Sequence, residues 1–230
     1  MLKLDRTVPG ISDSGPKPNS RVNRAPKLSR TRLEADRLTE LLDVAAEVFI
    51  AQGFESASIN EIARRANASK TTFYSRFPTK EILFSAVIEY RMDQVFRKIA
   101  PALPMDAPID KALREFAMSI ARAALSPLQI GLIRMMSMES KRFPELGRRF
   151  YELGAGRGKA LLAEYLAQQT RRGHLREDDP QIMAEQFISL VIGGPVHWYV
   201  LGFRASMPQA EERAKHVDAA VNTFLRAYVK

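Results

Sequence analysis

Between Ser58 and Lys80 the chain has room for two very short helices joined by a tight turn, and the second is too polar to belong to a core. Ser58, with Glu61 three residues on, reads as a capping box that starts a helix at about Ile59. Ile59, Ile62, Ala63 and Ala66 give this helix one apolar face at helical period. Ala63 is small, which suits a place where two helix backbones approach closely. Asn67 and Ala68 form the turn, where Asn tolerates a left-handed backbone. Ser69 can cap the next helix, which runs through Tyr74. Phe73 and Phe77, four residues apart, point to the core. Lys70, Thr71, Thr72, Tyr74, Ser75 and Arg76 all carry donors, and none needs burial. Pro78 stops the helix, and Thr79 caps a new one that begins on Lys80. The helix dipole disfavours a cation there, so Lys80 makes more sense with a phosphate nearby. Two such helices match a helix-turn-helix, which presents its second helix to the DNA major groove. The plain alternative is a solvated helical hairpin.

The run from Ser69 to Phe84, SKTTFYSRFPTKEILF, resembles the recognition helix and following helix start of TetR-family transcriptional regulators. Phe73-Tyr74, Phe77, Lys80, Glu81 and Leu83 fit the family pattern, as do Gly53-Phe54 and Ile62-Ala63 upstream. The resemblance is specific over about Leu38 to Ile88 and only architectural beyond. It implies that Tyr74 and Lys80 hold phosphates, while Lys70, Thr71, Thr72 and Arg76 face base edges or nearby phosphates. Arg76 stands where the family often has His. Asn60, at the start of the preceding helix, is placed to touch the backbone or a base. The resemblance also implies a homodimer joined through its last two helices on a double-stranded, inverted-repeat operator. A small-molecule effector would shift the angle between the two heads.

Composition agrees with an all-α chain: an N-terminal three-helix DNA-binding head and a C-terminal helical bundle for ligand binding and dimerisation. In 230 residues there are 12 glycines, strands are hard to find, and the 46% hydrophobic content suffices for a core. The absence of cysteine removes disulfides, thiol catalysis and thiolate metal sites. No apolar run reaches the roughly 18 residues of a membrane span, and the N-terminus lacks a secretory apolar region, so the expected location is the cytoplasm, with no membrane partner. The first 32 residues hold eight basic against two acidic residues, residues 33–80 six against seven, and the remainder 21 against 17. Most of the net +9 therefore lies in the tail. Residues 1–30 read as a disordered basic arm, either tracking DNA phosphate or merely solubilising. Residues 31–80 form the head and 81–230 the body.

Helix one is expected from about Arg32 to Gln52, with Gly53 as a left-handed C-cap. Body helices follow at about 109–125, 127–139, 144–172, 180–203 and 208–229, after a helix that begins at Lys80. That makes nine in all. In the last helix Ala210, Ala214, Val217, Val221, Phe224 and Tyr228 are spaced as an unbroken a/d seam. With Phe187 and Val191 of the preceding helix, the residues Val217, Val221, Phe224 and Tyr228 are the expected dimer interface. The alternative is that both seams face the chain's own body. Phe96, Met118, Met135, Met136, Met138, Phe150 and Tyr151 are candidates for an adaptable apolar pocket, with Trp198 and His197 adding polar contact and Pro195 a kink; plain core packing is the alternative for each.

Enzyme readings fail. Gly154-Ala155-Gly156-Arg157-Gly158-Lys159-Ala160 has Leu153 where a P-loop needs its first glycine and Ala160 where it needs Ser or Thr. His174, His197 and His216 lack metal-ligand spacing, so no metal or cofactor is expected. Asp178-Asp179 suits a helix N-terminus better than a catalytic pair. The reading is a dimeric, effector-responsive repressor, with an activator, a less specific DNA binder or a helical small-molecule binder as alternatives.

Overall fold

Eleven α-helices follow one another: α1 (Lys27–Ser56), α2 (Ile59–Arg65), α3 (Lys70–Arg76), α4 (Lys80–Ile99), α5 (Ile109–Ala124), α6 (Pro127–Glu139), α7 (Pro144–Tyr151), α8 (Arg157–Arg171), α9 (Pro180–Ile188), α10 (Gly194–Val200) and α11 (Ala210–Tyr228). This computed structural model describes residues 27–230, with side chains from Ala35 onward except those of Lys70 and Thr72. The basic arm expected at residues 1–30 lies outside the described residues up to position 26, and α1 already begins at Lys27. π turns at Glu152–Gly156 and Ser189–Gly193 fuse α7 to α8 and α9 to α10. The eleven helices therefore form nine continuous rods among the described residues, the number expected. No described residue belongs to a strand, although Leu175 and Val229 form an isolated bridge.

Several helix starts follow local chemistry. Thr79 Oγ1 accepts from the Ile82 amide, Ser126 Oγ from that of Gln129, and an Asp179 carboxylate oxygen from that of Gln181. Pro127, Pro144 and Pro180 occupy first turns, where a missing N–H costs nothing. One expectation fails and another holds in part. Ser58 is extended but its side chain does not cap α2; Glu61 instead accepts from Gln52 Nε2 at 2.9 Å. Gly53 breaks the helical run of α1 at the expected place with φ 78°, but its ψ of 164° is not left-handed helical, and a further turn beyond the kink runs on to Ser56.

Two large cores result. The first joins the head to α4, α6 and α7. Phe49, Phe54 and Phe84 meet there with ring centroids 5.0–5.8 Å apart, beside Ile62, Phe73, Phe77, Leu132 and Met135. The second joins α5, α8, α9 and α11 around Phe116, Leu162, Phe187 and Val221. Burying each such side chain contributes about 1.5–3 kcal/mol, so the head and the upper body are held as one unit.

The expected dimer seam is corrected by this core. Phe187, Val191, Val217, Val221 and Phe224 are at most 1% exposed and Tyr228 is 7% exposed, all within a single chain. Phe187 meets Phe224 edge-on at 5.0 Å, and Tyr228 donates to Gln186 Oε1 at 2.6 Å. These six residues are already covered by their own chain. The alternative, that the seams face the body, is the one the structure takes. The outward side of α9 and α10 carries Ile182, Leu190, Trp198 and, just beyond, Leu201, all exposed.

Candidate functional site

Phe73 and Phe77, 1% and 5% exposed, pin α3 to the head core, with ring centroids 5.7 Å apart. Ile62 and Ala63 do the same for α2. Asn67 takes φ 49° between them, and the Ala68 amide donates to Ala63 O at 2.9 Å. The sequence requires this turn: only a residue tolerant of the left-handed region fits there. With the apolar sides inward, Thr71, Tyr74, Ser75 and Arg76 are exposed on α3, and Asn60 and Arg64 on α2. Lys70 and Thr72 belong to the same short helix. The expected DNA-reading residues of α2 and α3 thus share one two-helix unit.

The electrostatics sort the head's cations. Arg65 is tied to Glu47 at 2.7 Å. Arg64 and Arg76 form no ion pair among the described residues. The Lys80 ammonium donates to Glu55 O at 2.6 Å and lies 5.0 Å from the centroid of the Phe54 ring. Two carbonyls and a ring therefore give this cation at a helix start a partner that the sequence reasoning assigned to phosphate. Next to it, Glu81 is held below its ordinary pKa by its own backbone N–H, by the Thr79 hydroxyl and by Lys80.

Below the head, a half-open cavity of about 370 Å³ lies among five helical rods. α4 supplies Met92, Val95 and Ile99, α5 Ile120 and Ala123, and α6 Gln129 and Ile133. Phe150, Tyr151, Gly154 and Gly158 close the α7–α8 side, and Ile188, Ser189, Ile192, Gly193 and His197 the α9–α10 side. Both π turns border it. Gly154 permits one wall to close, because a Cβ there would lie 2.8 Å from Met92 Sδ. The lining has no Asp, Glu, Lys or Arg, and His197 is its imidazole. His197 Nδ1 lies 2.6 Å from Gly193 O, a carbonyl that can only accept. Nδ1 therefore carries the hydrogen, and in the neutral ring Nε2 is an acceptor. Gln129 Oε1 is enclosed without a hydrogen-bond partner.

Of the expected pocket residues, Tyr151, Phe150 and His197 line this cavity and the others do not. Met135 is buried in the head core with Met136, and Met138 is 81% exposed. Phe96 lies under Arg157, whose guanidinium is 3.6 Å from the ring centroid and bonds to Asp93. Met118 borders a groove on the α4–α5 surface. Trp198 stacks with Arg204 at 4.8 Å beside a separate pocket of about 330 Å³. Sequence reasoning missed the isoleucines, which look like ordinary core. The clusters Gly154-Gly156-Gly158 and Gly193-Gly194-Pro195 were the available signal.

Residues 41–87 match the family of bacterial regulatory proteins called tetR, and residues 111–230 match the C-terminal domain of AefR-like transcriptional repressors. The chain belongs to the TetR family. Its fold agrees over nearly its whole described length with a TetR-family regulator from Mesorhizobium loti MAFF303099, at TM-score 0.78 and 28% identity, covering 85% of this chain and 98% of that one. The flavonoid-responsive regulator FrrA is 32% identical, with TM-score 0.71 and the same coverage. The transcriptional activator FasR of Mycolicibacterium smegmatis is 35% identical over 85 residues, which are 37% of this chain and 36% of FasR. The match thus spans only about a third of FasR's length. As a TetR-family member, the chain is a DNA-binding transcriptional regulator.

Proposed function

We propose that this regulator is a homodimeric repressor that leaves an inverted-repeat operator when an apolar effector fills the cavity among α4–α10. One observation carries the reading: α4 and α6 each border the cavity on one side and the head on another. α4 gives Met92 and Val95 to the cavity and Leu83, Phe84 and Val87 to the head core. α6 gives Gln129 and Ile133 to the cavity, while Gly131 between them lies against Ile50 of α1. Arg142 reinforces the joint by pairing with Glu55 at 2.7 Å. Helices shared in this way transmit displacement, since packed cores shift between discrete arrangements rather than deform smoothly. FrrA, flavonoid-responsive by its name, supports a small-molecule effector.

In this reading Tyr74 meets a phosphate, and Thr71, Arg76, Lys70 and Thr72 meet base edges or adjacent phosphates. Asn60 touches the backbone, and Lys80 adds its remaining donor to a phosphate. Two heads must fit half-sites about 34–36 Å apart. The second copy docks on the outward strip of Ile182, Leu190, Trp198 and Leu201. The protein works beside the chromosome, in the cytoplasm.

The test is selection of bound sequences from a random duplex pool at about 150 mM salt. The expected result is an enriched inverted repeat that Tyr74→Ala no longer binds while remaining a dimer. Retention of near-wild-type affinity by Tyr74→Ala would remove that residue from the interface. No enrichment at all would favour a non-specific binder.

A further inference from the structure

The cavity carries no fixed charge, but the surface beside it does. A groove of about 480 Å³ runs between α4 and α5. Arg91, Gln94 and Lys98 line it from α4; Ser119 and Arg122 on α5, with Ser126 just beyond, line it from the other side. Arg91, Gln94 and Lys98 are spaced three and then four apart, one stripe along α4, and Ser119 and Arg122 are three apart on α5. Val95 and Ala123 line both the groove and the cavity, so the two spaces adjoin at one side chain from each helix. Lys98, Ser119 and Arg122 also border the adjoining groove toward Arg114 and Glu115.

These cations are not equivalent. Arg91 is committed to Asp43 at 2.9 Å, and Arg114 bonds to Asp218 and Asn222. Lys98 and Arg122 form no ion pair and no hydrogen bond through their side chains among the described residues. Both line this groove, which has no acidic residue in its lining, while Glu115 lines the adjoining one.

We propose that Lys98 and Arg122 hold the head group of an amphiphilic anion whose apolar body fills the cavity. The inference rests on the reading of the cavity as the effector site and narrows its chemistry to a carboxylate or a phosphate ester. The cavity lining offers an anion no Lys or Arg partner, and burying a charge without a partner is strongly unfavourable. At the groove it meets a guanidinium able to make two parallel hydrogen bonds and an ammonium acting as a point charge. The groove is open to solvent, so salt screens this contact, whereas burial of the apolar body is unaffected.

The experiment uses the full-length protein and N-phenyl-1-naphthylamine, a neutral fluorescent dye, displaced by dodecanol, dodecanoate or dodecyl phosphate. At low salt the better of the two anions should bind at least tenfold more tightly than the alcohol, and which one it is identifies the head group. Lys98→Ala combined with Arg122→Ala should bring both anions to the level of the alcohol and leave the alcohol unchanged. Rising salt should erase the same difference in the wild type. Equal binding of alcohol and anions by the wild type overturns the proposal, as does equal weakening of all three in the double variant. Gly158→Leu, which projects into the cavity, tests the underlying reading. If no probe binds, or if all three bind this variant as they bind the wild type, the cavity is not the effector site and the head-group site falls with it.

Discussion

The joint between head and body can be tested at Gly131. A Cβ at this position would lie 2.6 Å from Ile50 Cγ2, 3.3 Å from Cδ1 and 3.4 Å from Cγ1. Isoleucine is β-branched, and the position of Cγ2 is fixed by χ1, so it cannot swing aside as a flexible tip would. Gly131→Ala gains about 1 kcal/mol of helix propensity in α6. Overpacking at this separation costs about 2–3 kcal/mol, which leaves a net loss of about 1–2 kcal/mol and, for a chain of this size, about 3–6 °C in Tm. Ile50→Ala removes all three contacting atoms and by itself costs about 2 kcal/mol, the low end for a partly buried site. In that background Gly131→Ala should stabilise by about 1 kcal/mol, because the clash is gone and the propensity gain remains. The sign of the Gly131→Ala effect therefore reverses between backgrounds, a coupling of about 2–3 kcal/mol. Urea and thermal unfolding of the four proteins measure it. Additivity within about 0.5 kcal/mol, or stabilisation by Gly131→Ala in the wild type, would refute the close α1–α6 contact.

Other outcomes follow from the same geometry. A side chain at Gly158 meets nothing within 4 Å, so Gly158→Leu should raise Tm, by about 1 kcal/mol from helix propensity alone, and keep operator binding while abolishing effector release; a variant still released would count against the cavity. Leu190 is 39% exposed and Val221 fully buried, so Leu190→Glu should give a folded monomer by sedimentation, while Val221→Glu should unfold the chain. A folded, monomeric Val221→Glu protein would restore the seam to the dimer interface. The lowered pKa of Glu81 means that its stabilisation is present above the ordinary value of 4.5 and is lost as the pH falls through the lower folded value. Glu81→Gln should therefore be less stable than the wild type at neutral pH by a few tenths of a kcal/mol, on the order of a surface pair, and equal to it at low pH; a gap that widened on acidification would reverse the assigned sign.

What could be read from the sequence was whatever local chemistry decides. Pro127, Pro144 and Pro180 each mark a helix start because the missing N–H is harmless only there. Asn67 marks the turn, and the polar side of α3 has nowhere to go but outward. What depends on a third partner was not legible. Glu61 abandons Ser58 for Gln52 from a different helix. Lys80 finds carbonyls of the α1 end where phosphate was expected. The seam of α11 was correctly periodic, but periodicity reports that a face is buried and not whose atoms bury it. On the α9–α10 rod the inner residues Met183, Phe187, Val191, Pro195 and Tyr199 are spaced by four throughout. An ordinary α-helix would drift off one face at that spacing. The π turn at Ser189–Gly193 absorbs the drift, so a 3.6-residue wheel mixes inner Phe187 with outer Leu190. Met138 was a poor pocket marker for a related reason. A cavity is defined by what fails to fill a space, and glycines and alanines reveal it better than flexible side chains do.

On the proposed reading, the position of the cavity would let one chain be both stable and responsive. Its lining is drawn from three separate hydrophobic clusters: Met92 and Phe150 belong with the head, Ile99 and Ile120 with the lower body, and Val196 with the small cluster around Tyr199. Forcing a ligand into the buried part of such a cluster would cost about 1–3 kcal/mol of overpacking. The space between them is already empty, so a ligand placed there gains apolar contact without breaking any. What it changes is how closely the clusters approach one another. The first cluster contains the whole hydrophobic floor of α2 and α3, including Ile62, Phe73 and Phe77. On the proposed reading, any change in its set against the lower body would carry the faces of α2 and α3 with it. In the proposed dimer two heads would double the effect on half-site spacing, and a coupling of about 1–3 kcal/mol would be enough to change operator occupancy five- to 150-fold.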